Sequence, residues 1–247
     1  MEVKDNVVII TGASSGIGLA TAKLFAKNKS KVVLVARSKE KLDKLAVTLP
    51  NSLAIVCDMT NPHQIKKMIK KVLSNFGKID VLINNAGQGY NSLLEEIELP
   101  KLRHIFDLDF VGPILAMQEV IPQMRKQGQG AIVNLSSGTT RMYLPGMSPY
   151  SSIKTALNVA SHTSRLELAE DNIRVSLVYP YMTATDFEKN TLKSPRLSQS
   201  ASENKDFGDL PPVDSPEKVA KMILKAVKTG KPEVFANPYL EKGELQV

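Results

Sequence analysis

Thr11-Gly12-Ala13-Ser14-Ser15-Gly16-Ile17-Gly18 follows the apolar run Val7-Val8-Ile9-Ile10 and leads into Leu19-Ala20-Thr21-Ala22-Lys23-Leu24-Phe25. The order is strand, glycine turn, helix. Glycines at 12, 16 and 18 let the chain turn without a Cβ, and let a diphosphate approach the free N–H groups of a helix N-terminus, where the macrodipole favours anions. Glycine triplets also occur in ordinary turns. Position favours the nucleotide loop here, because the turn sits between a buried-type strand and an amphipathic helix. No Lys-Ser/Thr pair follows Gly18, which argues against a P-loop.

The same alternation continues along the chain. Apolar runs at Lys31–Ala36, Leu53–Cys57, Val81–Ile83, Ala131–Leu135, Arg174–Val178 and Glu233–Ala236 predict six further strands. Helices are expected between them: Lys39 to Leu49, Pro62 to Phe76, a long one from about Leu99 to Gln127, one opening at Ser148-Pro149 and running to about Glu170, and a last one from Ser215-Pro216. Ser148 and Asn61 read as caps with proline in the first turn, and Gly77 as a helix stop. Short β-branched runs alternating with helices predict an α/β fold, a parallel sheet covered on both faces and joined by right-handed crossovers. Ligands collect at the carboxyl ends of such strands. The loops after Ile10, Ala36, Cys57, Ile83, Leu135 and Val178 are therefore expected to ring one crevice.

At 247 residues with 43% hydrophobic content, the chain can bury a large core as a single domain, 1–247. Cys57 is the only cysteine, which excludes an intramolecular disulfide, and three scattered histidines show no metal-ligand spacing. The apolar runs are far short of a membrane span and neither end reads as an address signal, so a cytoplasmic protein is expected. The formal net charge of +7 comes from lysines dispersed on helix faces without interleaved aromatics. A solvated basic surface that attracts a polyanionic cofactor is favoured over a nucleic-acid site.

Tyr150 and Lys154 are four residues apart at the start of a helix, so both can act on one ligand. An ammonium near a phenol stabilises phenolate. Moving a tyrosine from about 10 toward 7 needs about 4 kcal/mol, expected from Lys154 together with an oxidised nicotinamide in a partly desolvated site. An exposed helical Tyr/Lys pair is the plain alternative. Ser137 emerges from the preceding strand end and is either a substrate-oxygen donor or a turn serine. Asn84-Asn85-Ala86-Gly87 lies at another strand end, where the asparagines serve either the site or the turn.

Taken together, the glycine loop, Asn84-Asn85-Ala86-Gly87, Ser137 and Tyr150-Ser151-Ser152-Ile153-Lys154 make the chain resemble the short-chain dehydrogenase/reductase family over nearly its whole length. The resemblance implies a Rossmann-type, doubly wound seven-stranded parallel sheet. It also implies nicotinamide-dependent hydride transfer at a carbonyl or secondary alcohol, and a homodimer or homotetramer built through two long central helices. Tyr150 is carried over as general acid in reduction and base in oxidation, Lys154 as the group that lowers its pKa and binds the nicotinamide ribose, and Ser137 as the residue that polarises the carbonyl. The implied cofactor-binding set is Gly12, Ser14, Ser15, Gly16, Ile17, Gly18, Arg37, Asp58, Met59, Asn85, Ala86, Gly87, Tyr150, Lys154, Pro180, Thr183 and Thr185. Asp58 is expected either at the adenine or as a helix cap.

Cofactor choice is read at the end of the second strand. NAD-specific enzymes usually present Asp or Glu there to the ribose 2′-OH, whereas this chain has Ala36-Arg37, which repels no 2′-phosphate and can bind one. NADP(H) is the expected cofactor. Two positions depart from the family pattern. Asp109 stands where Asn usually offers its backbone carbonyl to a water linking Lys154 to solvent, and its carboxylate is expected to join the catalytic group by holding Lys154 charged while opposing phenolate. Tyr181 follows Pro180 where glycine is usual, and is expected either to narrow the substrate entrance or to point to solvent. Residues 186–214 are polar and aperiodic and read as a flexible substrate lid. Met142, Tyr143, Leu144, Met147 and Met182 are candidates for apolar walls. A non-catalytic NADP(H) sensor is the competing function, though intact Ser137, Tyr150 and Lys154 argue against it.

Overall fold

The computed structural model describes residues 1–199 and 213–242. In chain order these form β1 (Val7–Thr11), α1 (Gly16–Lys27), β2 (Lys31–Ala36), α2 (Lys39–Thr48), β3 (Ser52–Val56), α3 (Pro62–Phe76), β4 (Val81–Asn84), β5 (Tyr90–Asn91), α4 (Leu99–Phe106) and α5 (Gly112–Gln127). There follow β6 (Gly130–Leu135), α6 (Ser148–Glu167), β7 (Ile173–Tyr179), α7 (Phe187–Asn190), β8 (Leu192–Lys193), α8 (Pro195–Gln199), α9 (Pro216–Thr229), β9 (Glu233–Phe235) and α10 (Pro238–Lys242).

Seven strands pair in the order β3-β2-β1-β4-β6-β7-β9, all parallel. The Rossmann-type sheet expected from the sequence is thus present, and its order reverses at β1, between β2 and β4. Alternate strand residues feed two cores. Val8, Ile10, Val32 and Leu34 pack with Phe25 of α1, Leu42 of α2 and Ile223 of α9, while Val7, Ile9, Val33 and Val35 pack with Ile65 of α3 and Met117 and Val120 of α5. Successive side chains on a strand point to opposite faces, so a strand covered by helices on both sides must be apolar throughout. All five residues of β1 are buried.

Local chemistry sets the helix ends. The Asn61 side chain accepts from Gln64 N–H at 3.1 Å, Pro62 fills the first turn, and Gly77 stops α3 in the left-handed region at φ 71°. At α6 the expected cap is displaced: Met147 is the cap residue, Ser148 lies inside the helix, and no side chain caps it.

The helix expected from Leu99 to Gln127 is instead interrupted at Asp107–Val111 by one wider, π-type turn between α4 and α5. Pro113 has no N–H to return to the carbonyl of Asp109, so the regular ladder lapses there. Gly112 permits the close approach this requires, since a Cβ would collide with the Met59 carbonyl oxygen. The result swings Asp109 inward, where it is completely buried.

The segment read as a flexible lid carries regular structure over its described part. Residues of α7, β8 and α8 occupy 187–199, and β8 pairs in parallel with β5. A two-residue strand has no periodicity by which a sequence can announce it. The two ends of the excursion are joined, with Asp214 N–H donating to Met182 O at 2.7 Å and Ala184 N–H to Asp214 O at 2.9 Å. The remainder of the expected lid, 200–212, lies outside the described residues. No helix among the described residues is long and apolar enough to cross a membrane.

Candidate active site

The glycine loop is held in shape from three sides. Thr11 Oγ1 accepts from the backbone N–H groups of Asn85 and Ala86, both at 2.9 Å, and the Asn85 amide donates to Thr11 O at 2.8 Å. Ala13 N–H donates to Val35 O at 3.1 Å, tying the loop to β2. Gly12 and Gly16 have φ of 67° and 51°, and a Cβ on Gly18 would strike the Gly12 carbonyl oxygen. Ser15 precedes α1 without capping it, so the first N–H groups of the helix are not taken by that side chain. Ser14 and Ile17 are half-buried on this loop, and Thr185 lies against it, since a Cβ on Gly16 would come 3.0 Å from Thr185 Cγ2. These features suit an anionic diphosphate at the α1 N-terminus.

Arg37 leaves the end of β2 exposed, and its guanidinium makes no hydrogen bond to any described residue. Its charge reaches Asp58. Burial pushes the Asp58 carboxyl up, but hydrogen bonds from Thr60 and the positive field of Arg37 and His104 leave it below the usual carboxylate range. Asp58 Oδ1 accepts from Thr60 N–H at 2.9 Å and Thr60 Oγ1–H at 2.8 Å, so it serves a local turn whatever else it meets. The Met59 side chain is buried in the core, which leaves its backbone for any ligand contact.

The two asparagines separate in role. Asn84 is buried in the sheet, donating to Asn134 Oδ1 at 2.8 Å, while Asn134 in turn donates to Ser161 Oγ at 2.8 Å. Asn85, Ala86 and Gly87 are half-buried at the rim.

Tyr150, Lys154 and Ser137 come together at the carboxyl ends of β4 and β6. Lys154 Nζ donates to Leu135 O at 3.0 Å and lies 2.7 Å from Asp109 Oδ1. Asp109 Oδ2 accepts from Gln88 N–H at 3.1 Å. Gly87 must lack a Cβ because one would collide with Asp109 Oδ1. The carboxylate side chain of Asp109 is therefore the partner of Lys154. Burial would neutralise Asp109 and would also pull Lys154 down; the adjacent opposite charge, with Tyr150, lifts Lys154 above its ordinary value, so the pair keeps its proton on the lysine.

The Tyr150 phenol is held up at about 12: burial raises it most, Lys154 lowers it, Asp109 raises it, and the neighbouring Ser137 hydroxyl lowers it. Ser137 Oγ accepts from Thr139 N–H at 3.2 Å and Thr139 Oγ1–H at 3.0 Å, which fulfils the turn role and leaves its own proton free to donate. Pro180 O accepts from Gly138 N–H at 2.8 Å and so fixes this turn to the segment holding Thr183 and Thr185. Tyr181 does not point to solvent: it is buried against Val178, Met142 and Leu240. Of the other candidate wall residues, Tyr143 and Met182 are exposed and Leu144 and Met147 are half-buried.

Two site residues escaped the sequence reading. Phe187 of α7 places its ring 5.9 Å from that of Tyr150. Gln88 donates its side-chain amide to Asn190 O at 2.7 Å, joining the loop after β4 to the end of α7. Gln88 directly follows the Asn-Asn-Ala-Gly signal, but nothing in the sequence pairs it with residue 190.

Comparison with known proteins agrees with this arrangement. The family model described as short chain dehydrogenase matches residues 6–196. A 3-oxoacyl-acyl-carrier-protein reductase, FabG, of Thermotoga maritima is 36% identical over 229 residues, covering 91% of each chain. Among solved structures, a short-chain dehydrogenase from Streptomyces avermitilis superposes with TM-score 0.86 at 32% identity, covering 97% of this chain and 91% of its own. A 3-ketoacyl-(acyl-carrier-protein) reductase from Brucella melitensis, complexed with NADH, gives 0.82 at 25% identity, covering 95% and 98%. With its seven-stranded sheet, its glycine loop and its clustered Ser137, Tyr150 and Lys154, this chain belongs to the short-chain dehydrogenase family of oxidoreductases, whose members bind nicotinamide cofactors.

Proposed function

We propose that the chain is an NADP(H)-dependent carbonyl reductase, or alcohol dehydrogenase in the reverse direction, with Tyr150 as its general acid and base. The observation that carries this reading is the convergence of three groups: a buried Tyr150 phenol, a Ser137 hydroxyl near enough to favour its ionised form, and the Lys154 ammonium fixed by Leu135 O. Bound NADP(H) supplies or takes up the hydride. Residues at the glycine loop, with Asn85, Ala86 and Gly87, Pro180, Thr183 and Thr185, would hold its diphosphate and nicotinamide, and Lys154 its ribose.

In reduction, charge develops on the substrate oxygen as the carbonyl π bond is broken. Ser137 Oγ–H and Tyr150 O–H are the donors for that oxygen, and the Tyr150 proton passes to it, giving the alcohol and a phenolate that solvent reprotonates. Oxidation runs the same transfer backwards. Arg37 supports NADP(H) over NAD(H), because its guanidinium is exposed at the end of β2 and no described residue hydrogen-bonds it.

On this reading the chain is a single-domain cytoplasmic enzyme with a substrate lid at about 186–214, of which the described residues 187–199 carry α7, β8 and α8. An apolar groove lined by Leu94, Ile97, Leu102, Phe106 and Ile153 lies between α4 and α6, and it supports assembly into a homodimer or homotetramer. The test follows NADPH absorbance over aldehydes, ketones, quinones and 3-oxoacyl thioesters, the last suggested by the names of two relatives. Consumption by the wild type and loss of at least about a hundredfold in Tyr150→Phe is expected, the usual scale of general acid catalysis. Equal rates in both would remove Tyr150 as proton donor. Tight NADPH binding without turnover would favour a sensor.

A further inference from the structure

The Lys154 ammonium has two fixed partners, Leu135 O at 3.0 Å and Asp109 Oδ1 at 2.7 Å, and the pair is sealed from solvent. Asp109 cannot swing away. Its second oxygen is held by Gln88 N–H at 3.1 Å, Gly87 presses against the first, and the π-type turn aims the residue inward. A carboxylate in this position cancels much of the positive charge that Lys154 offers to the neighbouring phenol.

We propose that Asp109 is a positioning residue that neutralises Lys154 from behind, so that Tyr150 is held as a neutral phenol and the site is set to give a proton to a carbonyl rather than to take one from an alcohol. This rests on the reading of Tyr150 as the proton donor. Among the described residues, the charged or titratable groups facing the pair are Tyr150, which shares α6 with Lys154, and His104 on α4. The remaining contacts, Gln88 N–H and Leu135 O, are backbone groups that do not titrate. Removing the Asp109 charge leaves an unopposed ammonium beside the phenol, and the phenol should ionise more easily. The sign is therefore downward.

Asp109→Asn keeps the shape and an acceptor for Gln88 while deleting the charge; Asp109→Ala deletes both. In alkaline ultraviolet titration of the cofactor-free protein, each variant is compared with its own Tyr150→Phe counterpart to isolate one phenol among the tyrosines. The expected result is a midpoint lowered by about one unit or more in both variants. In pH–rate profiles carried up to about pH 11, with the fold of each variant followed by circular dichroism at every pH, the breakpoint should fall in the same sense for carbonyl reduction and for alcohol oxidation. A residue that merely braces the fold would scale both rates without moving either breakpoint. An unmoved or raised midpoint overturns the inference. Because the titration needs neither substrate nor cofactor, it decides this point even if no substrate is turned over and the enzymatic reading fails.

Discussion

Thr11 and Asn85 clasp each other across the point where the strand order reverses: Thr11 Oγ1 accepts from Asn85 N–H at 2.9 Å, and the Asn85 amide donates back to Thr11 O at 2.8 Å. One hydroxyl thereby fixes the loop after β4 against the loop after β1, with Ala86 N–H as a second donor and Ile83 O as its acceptor at 3.3 Å. Two loops far apart in sequence become one rigid wall of the crevice. Functionally, this pre-sets the backbone that faces the dinucleotide.

Thr11→Val keeps the volume but strands two backbone N–H groups. An unsatisfied buried donor costs about 1–3 kcal/mol. Urea unfolding should show a loss of that order, and Thr11→Ser, which retains the hydroxyl, should lose much less. Equal stability of the valine variant would show that the clasp is dispensable.

Arg37→Ala should erode the preference for NADP(H) over NAD(H). A charge-assisted hydrogen bond of about 1.5–3 kcal/mol corresponds to about a 10- to 150-fold change, measured as the ratio of the two dissociation constants. NAD(H) affinity should barely move. A ratio unchanged from wild type would assign 2′-phosphate recognition elsewhere.

Gly18→Ala tests the loop itself. The new Cβ would meet the Gly12 carbonyl oxygen and the Asn85 amide, neither of them the flexible tip of a long side chain. Overpacking of this kind costs about 1–3 kcal/mol. Calorimetric NADPH affinity should fall at least about tenfold. A fully retained affinity would mean that the loop relaxes without cost.

Most of this frame was legible because its causes are local. Buried parallel strands must be apolar on both faces, so Val7–Ile10 and Lys31–Ala36 stand out, and glycine reports the turn at 12–18 directly. What was not legible depends on contacts between distant segments. The π-type turn needs Pro113 and also the approach of Gly112 to Met59, and only the second, long-range half explains why the chain tolerates it. Likewise Asp109 was visible as a departure from pattern, but the ion pair depends on where the turn aims the carboxylate. Tyr181 is open in the sequence between the substrate entrance and solvent, yet the apolar cluster around Leu240 claims it. Short pairings such as Tyr90–Asn91 with Leu192–Lys193 leave no trace in periodicity at all.

That last pairing bears on substrate choice. It anchors the chain beyond α7, so that Phe187 sits against Tyr150 with ring centroids 5.9 Å apart, and Thr191 and Phe187 close over Gly89, which has no room for a Cβ. Phe187 is 40% exposed, leaving a free aromatic edge beside the phenol that an apolar carbonyl compound can cover. Phe187→Ala removes that surface while leaving the Ser137, Tyr150 and Lys154 side chains themselves in place. Part of a phenylalanine's burial energy, about 1.4 kcal/mol, should be lost to apolar substrates, raising KM about tenfold with kcat little changed. The phenol should also titrate lower, toward its ordinary value, because burial is the main force holding it up. Phe187→Leu should restore most of the affinity. A small polar ketone should show no KM change in either variant, and a uniform rise for polar and apolar substrates alike would place Phe187 in the framework of the 187–199 segment rather than at the substrate.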